Sequence, residues 1–391
     1  MKIVELRATP VNIPFTAPYV FSHGSVKSLT KTIVEVDTDE GATGLGEVAD
    51  GDRAADVLKF RERLLGLDIR EITTAERRCL PGIRYTPWGN VVAQTRAFGG
   101  IEMALWDARA RIEEVPLHVL LGGAVRHEIA LSEYFGYRVA GPKEKGEHSP
   151  GEIADYCARM VDEYGATNFE GKVATVGLDE EVEMVRLIRR AIGERPLKLD
   201  ANGGWTVATA RLAMARLDEH AIAYYEEPAE TYEEMAQLRP FTRAAFSAHI
   251  VDLPKAVRLQ APDTIVTNLV ELGGIRRTVE FIRACELFDV GFRFHSGETS
   301  VASAAYLHVS AAMTHVREPS QTLFRWYADD VVNEGTPVPR NGVVPVPTGP
   351  GLGVTLDPRA MRRCHERYLA EGQFPPSDMA GRPYRDHFTR I

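Results

Sequence analysis

Six short apolar runs in this 391-residue chain end in a residue that can move a proton or hold a cation: Lys172, Asp200, Glu226, His249, Asn268 and His295. One charge at a strand end is unremarkable, because every strand must leave the core somewhere. Six at corresponding positions form a pattern. Asp200 and Glu226, with a third group from the next run, make a set of hard donors of the kind Mg²⁺ accepts alongside substrate oxygens. Lys172 and His295 would flank that point from opposite sides. A metal that stabilises an enolate dianion, while one of two bases takes the proton beside a carboxylate, uses all these residues together. Either Lys172 or His295 can be that base.

The elements that must position these residues follow from the spacing. Apolar runs at 129–135, 168–173, 196–200, 221–226, 244–249, 264–268, 291–295 and 321–325 alternate with helical stretches such as 180–192, 207–217, 275–288 and 301–315. Strands and helices alternating in this way imply parallel pairing through right-handed crossovers. Eight runs suggest a closed barrel, whose chemistry sits at the carboxyl ends of its strands; a doubly wound open sheet shares the local pattern. Upstream, residues 1–48 alternate apolar and polar around a turn at Asp39-Glu40-Gly41 and predict an antiparallel meander. From 53 to about 123 the period becomes helical. It is clearest over 97–112, where Ile101, Leu105 and Ala108 share a face and Asp107, Arg109 and Arg111 point elsewhere. After Asp330 the chain is rich in Pro and Gly, then forms a polar helix near 358–371 that must pack outside the barrel.

Composition removes several classes. With 46 Lys+Arg against 55 Asp+Glu, the formal charge is −9, and no basic cluster offers the footprint that nucleic acid needs. No window approaches ~18 uninterrupted apolar residues, and Lys2, Glu5 and Arg7 interrupt the start, so neither membrane insertion nor secretion is expected. Cys79, Cys157, Cys285 and Cys364 lie far apart without CxxC spacing and look like reduced thiols, which points to the cytoplasm. Residues 44–49 (GLGEVA) satisfy a GxGxxA pattern but open no helix, which argues against a dinucleotide site, and 349–353 lacks a phosphate-loop ending. His308 and His315, two turns apart on one helix, are expected to face core or solvent.

Segments 101–107 (IEMALWD), 199–205 (LDANGGW), 225–228 (YEEP), 272–275 (LGGI), His295 and 349–354 (GPGLGV) resemble, in order, the enolase superfamily in its mandelate racemase and muconate lactonising division. The HSGE run at 295–298 and the Trp-Tyr-x-Asp stretch at 326–329 are most similar to the glucarate dehydratase type. The resemblance implies an α/β fold, a modified (β/α)₇β barrel over residues 126–339. Its α+β capping domain is formed by residues 1–125, with residues 340–391 returning to it. It implies Asp200 and Glu226 as metal ligands, Lys172 as the second lysine of a Lys-x-Lys pair, His295 as the histidine after the seventh strand, and Asn202 as a substrate contact.

Three departures stand out. Glu170 replaces the first lysine; His249 takes the place of the third acidic ligand, with Asp252 as the competing candidate; and Asn268 stands where an Asp normally partners the histidine. An imidazole ligand shifts preference from Mg²⁺ toward Mn²⁺ or another divalent transition ion. Asn268 brings no charge to stabilise an imidazolium. Glu170 and Lys198, each two residues before a strand end, should both point into the barrel on neighbouring strands and pair, with Lys198 supplying the cation that the first lysine would have supplied. The residues expected to touch substrate are then Asn202, Lys198, Glu298, His23 and Tyr137, and the segments around 16–28 and 84–90 set specificity. The expected protein is a homo-oligomeric hydro-lyase of sugar acids. Racemisation or cycloisomerisation of a hydroxy acid, or a barrel that has lost its chemistry, are the alternatives.

Overall fold

A computed structural model describes residues 1–49, 51–80, 91–295 and 297–374. The expected specificity segment 84–90 lies outside the described residues. The meander is present as β1 (Ile3–Phe21), β2 (Gly24–Thr38) and β3 (Thr43–Val48), paired antiparallel in that order. The anticipated turn links β2 to β3, with Gly41 at φ +80° and the Gly41 amide bonded to the Thr38 carbonyl. Short helices α1 (Ala54–Leu58), α2 (Arg61–Leu64) and α3 (Ile72–Cys79) lead to the long α4 (Val91–Ile112) and to α5 (Leu117–Leu120).

Helix α4 lies flat across β3, and this accounts for the glycines of the GxGxxA pattern. A Cβ at Gly44 would sit 2.0 Å from the Ala104 carbonyl oxygen, and one at Gly46 2.0 Å from that of Gly100. Ile101, Leu105 and Ala108 are buried as expected. Asp107 departs from the expected outward direction: it is fully buried and accepts from the amides of Leu45 and Leu352 and from Arg111 Nε. A buried carboxylate with three donors is satisfied, and here it ties the cap to the tail.

The second unit is one curled parallel sheet. Its strands are β5 (Glu133–Phe135), β6 (Phe169–Lys172), β7 (Leu197–Asp200), β8 (Tyr224–Glu226), β9 (Ala245–Ala248), β10 (Thr264–Thr267) and β11 (Gly291–Phe294), each paired with its sequence neighbours. Consecutive order with no reversal excludes the doubly wound alternative. Helices α6 (Pro150–Tyr164), α7 (Leu178–Ile192), α8 (Val207–Leu217), α9 (Tyr232–Leu238), α10 (Leu253–Leu259), α11 (Ile275–Leu287) and α12 (Ser300–Ala312) cover its outer face. On α7, Met184, Val185, Ile188 and Ile192 recur at helical spacing and are wholly buried, each side chain contributing roughly 1.5–3 kcal/mol. No described helix is long and apolar enough to cross a membrane.

Two expected strands are corrected. The run at 129–135 divides: β4 (Glu128–Ala130) pairs antiparallel with β12 (Val343–Pro345) of the tail, and only β5 enters the barrel. The run at 321–325 is not a strand. Ser320 bridges to Leu131 on one side, the Gln321 amide reaches the Phe294 carbonyl on the other, and together they close the ring. Thr322 Oγ1 then accepts the Phe324 amide and diverts the chain into a turn at Phe324–Trp326. The last helix, α13 (Pro358–Glu371), packs on β1. His365 Nδ1 meets the Pro10 carbonyl, Arg367 donates to that of Asn12, and the Phe374 amide donates to Thr30 Oγ1. The tail therefore returns to the cap.

Two cap carboxylates fasten the cap at helix starts on the barrel. Glu102 accepts from the amides of Ile275 and Arg276 at the head of α11, and Glu47 from those of Thr299 and Ala302 at the head of α12. Anionic groups at helix N-termini meet unpaired N–H donors.

Candidate active site at the barrel mouth

Alternation along the strands gives the site two layers. Glu170, Lys198 and Tyr224 are register partners across β6, β7 and β8; two residues further on, Lys172, Asp200, Glu226 and Ser247 form the next row across β6 to β9. His249 follows at the end of β9. Ligand atoms of Asp200, Glu226 and His249 all lie within 4.8 Å of one another. Asp252, the competitor for the third place, spends its carboxylate as the N-cap of α10, accepting the Lys255 amide. The donor set at the mouth is thus two buried carboxylates and one imidazole. It fits a divalent cation, with the nitrogen ligand favouring the transition-metal end of the range.

Lys172 Nζ bonds Asp200 Oδ2, and Tyr134 OH donates to the same oxygen at 3.3 Å. Asn202 closes the other side, its amide N–H 2.9 Å from Asp200 Oδ1 and its Nδ2 3.4 Å from Oδ2. Glu226 is held at both oxygens: Oε2 by Ser247 Oγ at 3.0 Å and Arg293 Nη2 at 2.5 Å, Oε1 by Gln321 Nε2 at 2.7 Å and His249 Nε2 at 3.0 Å. The His295 ring lies edge-on to that of His249, with centroids 4.7 Å apart. Lys172 and His295 therefore approach the cluster from different sides.

The electrostatics follow from this crowding. Burial pushes the Asp200 carboxyl up to about 6; Lys172 counters the shift and Glu226 adds to it. Burial works in the same direction on Glu226, but the His249 and Arg293 charges outweigh it and hold Glu226 well below the usual range. Burial opposes charge on His249, yet Glu227 and Glu226 raise it to about 10. Burial, with the charge of His249, keeps His295 well below its ordinary value. For Lys172, burial is overcome mainly by Asp200, and the ammonium is favoured.

The remaining sequence candidates are placed as follows. Asn268 is buried, but its Oδ1 accepts the amides of Val270 and Glu271, so it caps a turn. Both lone pairs of the oxygen expected to hold His295 are thereby used. Glu298 is buried and lines a small cavity with Asn268, Glu47 and Tyr306. Tyr137 donates its hydroxyl to Glu180 on α7. His23, at the tip of the β1–β2 hairpin, places Nε2 2.8 Å from the Asn202 carbonyl.

Glu170 and Lys198 do face each other inside the barrel, but at 3.8 Å. The nearer cation is Arg293, wholly buried, whose Nη1 lies 2.6 Å from Glu170 Oε2. Gln321 adds a bond to Glu170 Oε1 at 2.6 Å. Lys198 instead donates to the Pro319 carbonyl at 3.0 Å and to Ser132. The cation compensating Glu170 thus comes from β11, two residues before His295, and Lys198 sits below the mouth. Arg293, Gln321 and Tyr134 were missed from sequence. The i, i+2 rule applied to His295 identifies Arg293, while Gln321 lies on no strand and carries no such signal.

A seven-stranded barrel with these carboxylates and bases at its mouth, under a cap built from both chain ends, defines an enolase-type enzyme. The sequence matches the family "Mandelate racemase / muconate lactonizing enzyme, N-terminal domain" over residues 3–122 and "Enolase C-terminal domain-like" over residues 152–360; the chain belongs to this division of the enolase superfamily. It is 26% identical to a Streptomyces coelicolor protein described as "Probable glucarate dehydratase", covering 94% of this chain and 92% of the relative. It is 27% identical to muconate cycloisomerase 1 of Rhodococcus opacus, covering 93% and 98% respectively. A crystal structure of an enolase from Pseudomonas fluorescens, with bound magnesium, potassium and tartrate, superposes with a TM-score of 0.87 at 26% identity, covering 100% of this chain and 96% of that one.

Proposed function

We infer that the protein is a hydro-lyase that acts on a hydroxy-carboxylate of the sugar-acid class. The observation that carries this reading is the approach of two proton-moving groups, Lys172 and His295, to one carboxylate–imidazole cluster from different sides. A divalent ion held by Asp200, Glu226 and His249, Mg²⁺ or Mn²⁺, supplies positive charge where the substrate carboxylate gathers electrons. Whichever of Lys172 and His295 faces the α-hydrogen takes that proton, Lys172 doing so only where a divalent ion would replace its ammonium as the partner of Asp200. The electron pair moves to the carboxylate, then expels the β-hydroxyl, to which the other group gives a proton, and water leaves. The resulting enol becomes a 2-keto acid by tautomerisation.

Three features support this class. Asn202 Oδ1 is buried beside Asp200 with no hydrogen-bond partner among the described residues, an acceptor suited to a substrate hydroxyl. The Streptomyces relative bears the name "Probable glucarate dehydratase", and the Pseudomonas structure holds tartrate, a hydroxy diacid. Two bases on different sides also suit racemisation or cycloisomerisation, the latter being the activity in the Rhodococcus relative's name. Product analysis separates the readings. Incubation with a panel of aldonates and aldarates plus Mg²⁺ or Mn²⁺ should yield a 2-keto acid with at least one of them, and none with Asp200→Asn. Inverted or cyclised product without water loss would replace dehydration with one of the alternatives.

A further inference from the structure

The tip of the cap hairpin touches the loop after β7 at one residue. His23 Nε2 lies 2.8 Å, and Ser22 Oγ 3.4 Å, from the carbonyl oxygen of Asn202. A carbonyl only accepts, so both cap groups donate, and His23 must carry its proton on Nε2. Asn202 in turn donates from its backbone N–H to Asp200 Oδ1 at 2.9 Å. Its φ of +46° is a left-handed conformation that a non-glycine residue holds at some cost unless its surroundings enforce it. Packing matches the bonding: a Cβ at Gly204 would come within 2.7 Å of Ser22 Cβ, so the loop is shaped to receive the tip.

We propose that His23 is a positioning residue, which holds the Asn202 peptide in its left-handed turn and thereby fixes the Asp200 carboxylate as a metal ligand. Cap docking is then felt at the cation site through three linked groups: the His23 imidazole, the Asn202 peptide and the Asp200 carboxylate. This differs from a substrate contact, because His23 Nε2 is engaged by the Asn202 carbonyl. The proposal rests on the reading of Asp200, Glu226 and His249 as a metal site.

The test compares wild type, His23→Ala and His23→Gln in full-length protein. Mn²⁺ affinity is measured by calorimetry, and amide hydrogen exchange of residues 200–205 is followed in EDTA. Loss of one hydrogen bond predicts three- to tenfold weaker Mn²⁺ binding in His23→Ala, with faster exchange of the 200–205 amides. His23→Gln, which keeps an N–H donor, should bind within twofold of wild type. Unchanged Mn²⁺ affinity in His23→Ala, unchanged exchange in the loop, or a rise in substrate KM alone that His23→Gln does not rescue would each overturn the proposal while leaving the metal site standing. Wild-type protein that binds no Mn²⁺ would overturn both.

Discussion

Replacing Lys172 with Met should make the protein unable to turn over yet tighter for metal. Lys172 is buried with its ammonium on Asp200, and Asp200 and Glu226 lie in adjacent register positions. Removing one partner of a buried ion pair typically costs about 3–5 kcal/mol. Asp200, already raised to about 6, can take a proton and escape part of that cost, so about 3 kcal/mol is the reasonable expectation for metal-free protein at pH 8. A divalent ion supplies the missing positive charge. If only half of that cost is returned on binding, affinity rises about tenfold, since 1.4 kcal/mol corresponds to one decade. Urea unfolding in EDTA should show Lys172→Met less stable than wild type, with the gap narrowing in saturating Mn²⁺. Calorimetry should show tighter Mn²⁺ binding. Equal stability in EDTA, or weaker Mn²⁺ binding than wild type, would refute the view that lysine and metal neutralise the same two carboxylates.

Three further predictions test other parts of the structure. His249→Asn should lose selectivity for Mn²⁺ over Mg²⁺, because the nitrogen ligand is its source; competition titrations giving the same ratio in both proteins would remove His249 from the cage. Double-mutant cycles on stability should give stronger coupling for Glu170 with Arg293 than for Glu170 with Lys198, given separations of 2.6 and 3.8 Å, and the reverse order would restore the pairing expected from sequence. Burial pushes Glu102 up to about 7, above the ~4.3 of an unfolded chain; its contribution is present below that lower value and is lost as pH rises through 7, by up to about 4 kcal/mol, so Glu102→Gln should flatten the fall in urea midpoint between pH 5 and 8.

Much of the site could be read from sequence because a strand reports its facing residues with a period of two. Lys172, Asp200, Glu226, His249 and His295 end five of the eight apolar runs, and the barrel brings those ends together. The same rule placed Glu170 and Lys198 inside. It did not choose their partners, because partner choice depends on side-chain reach across the lumen: Arg293 spans to both Glu170 and Glu226, while Lys198 is taken by the Pro319 carbonyl. The eighth run misled because Thr322 bonds locally and ends the extended chain. Asp107 misled because a polar residue on a helix is expected outside unless its donors, here Leu45 and Leu352 from distant segments, are known. The division of 129–135 between two sheets depended on the tail, whose β12 claims β4 from more than two hundred residues away.

The central claim, that Lys172 and His295 serve one cluster in proton abstraction next to a carboxylate, is tested most directly by solvent exchange at the α-carbon. A hydroxy acid accepted by the enzyme is incubated in D₂O with Mn²⁺ and followed by NMR. Wild type should wash deuterium into the α-position or release product. One of Lys172→Ala and His295→Ala should abolish exchange, and the other should retain exchange while blocking loss of the hydroxyl. Wild-type rates of exchange in both variants would contradict the account.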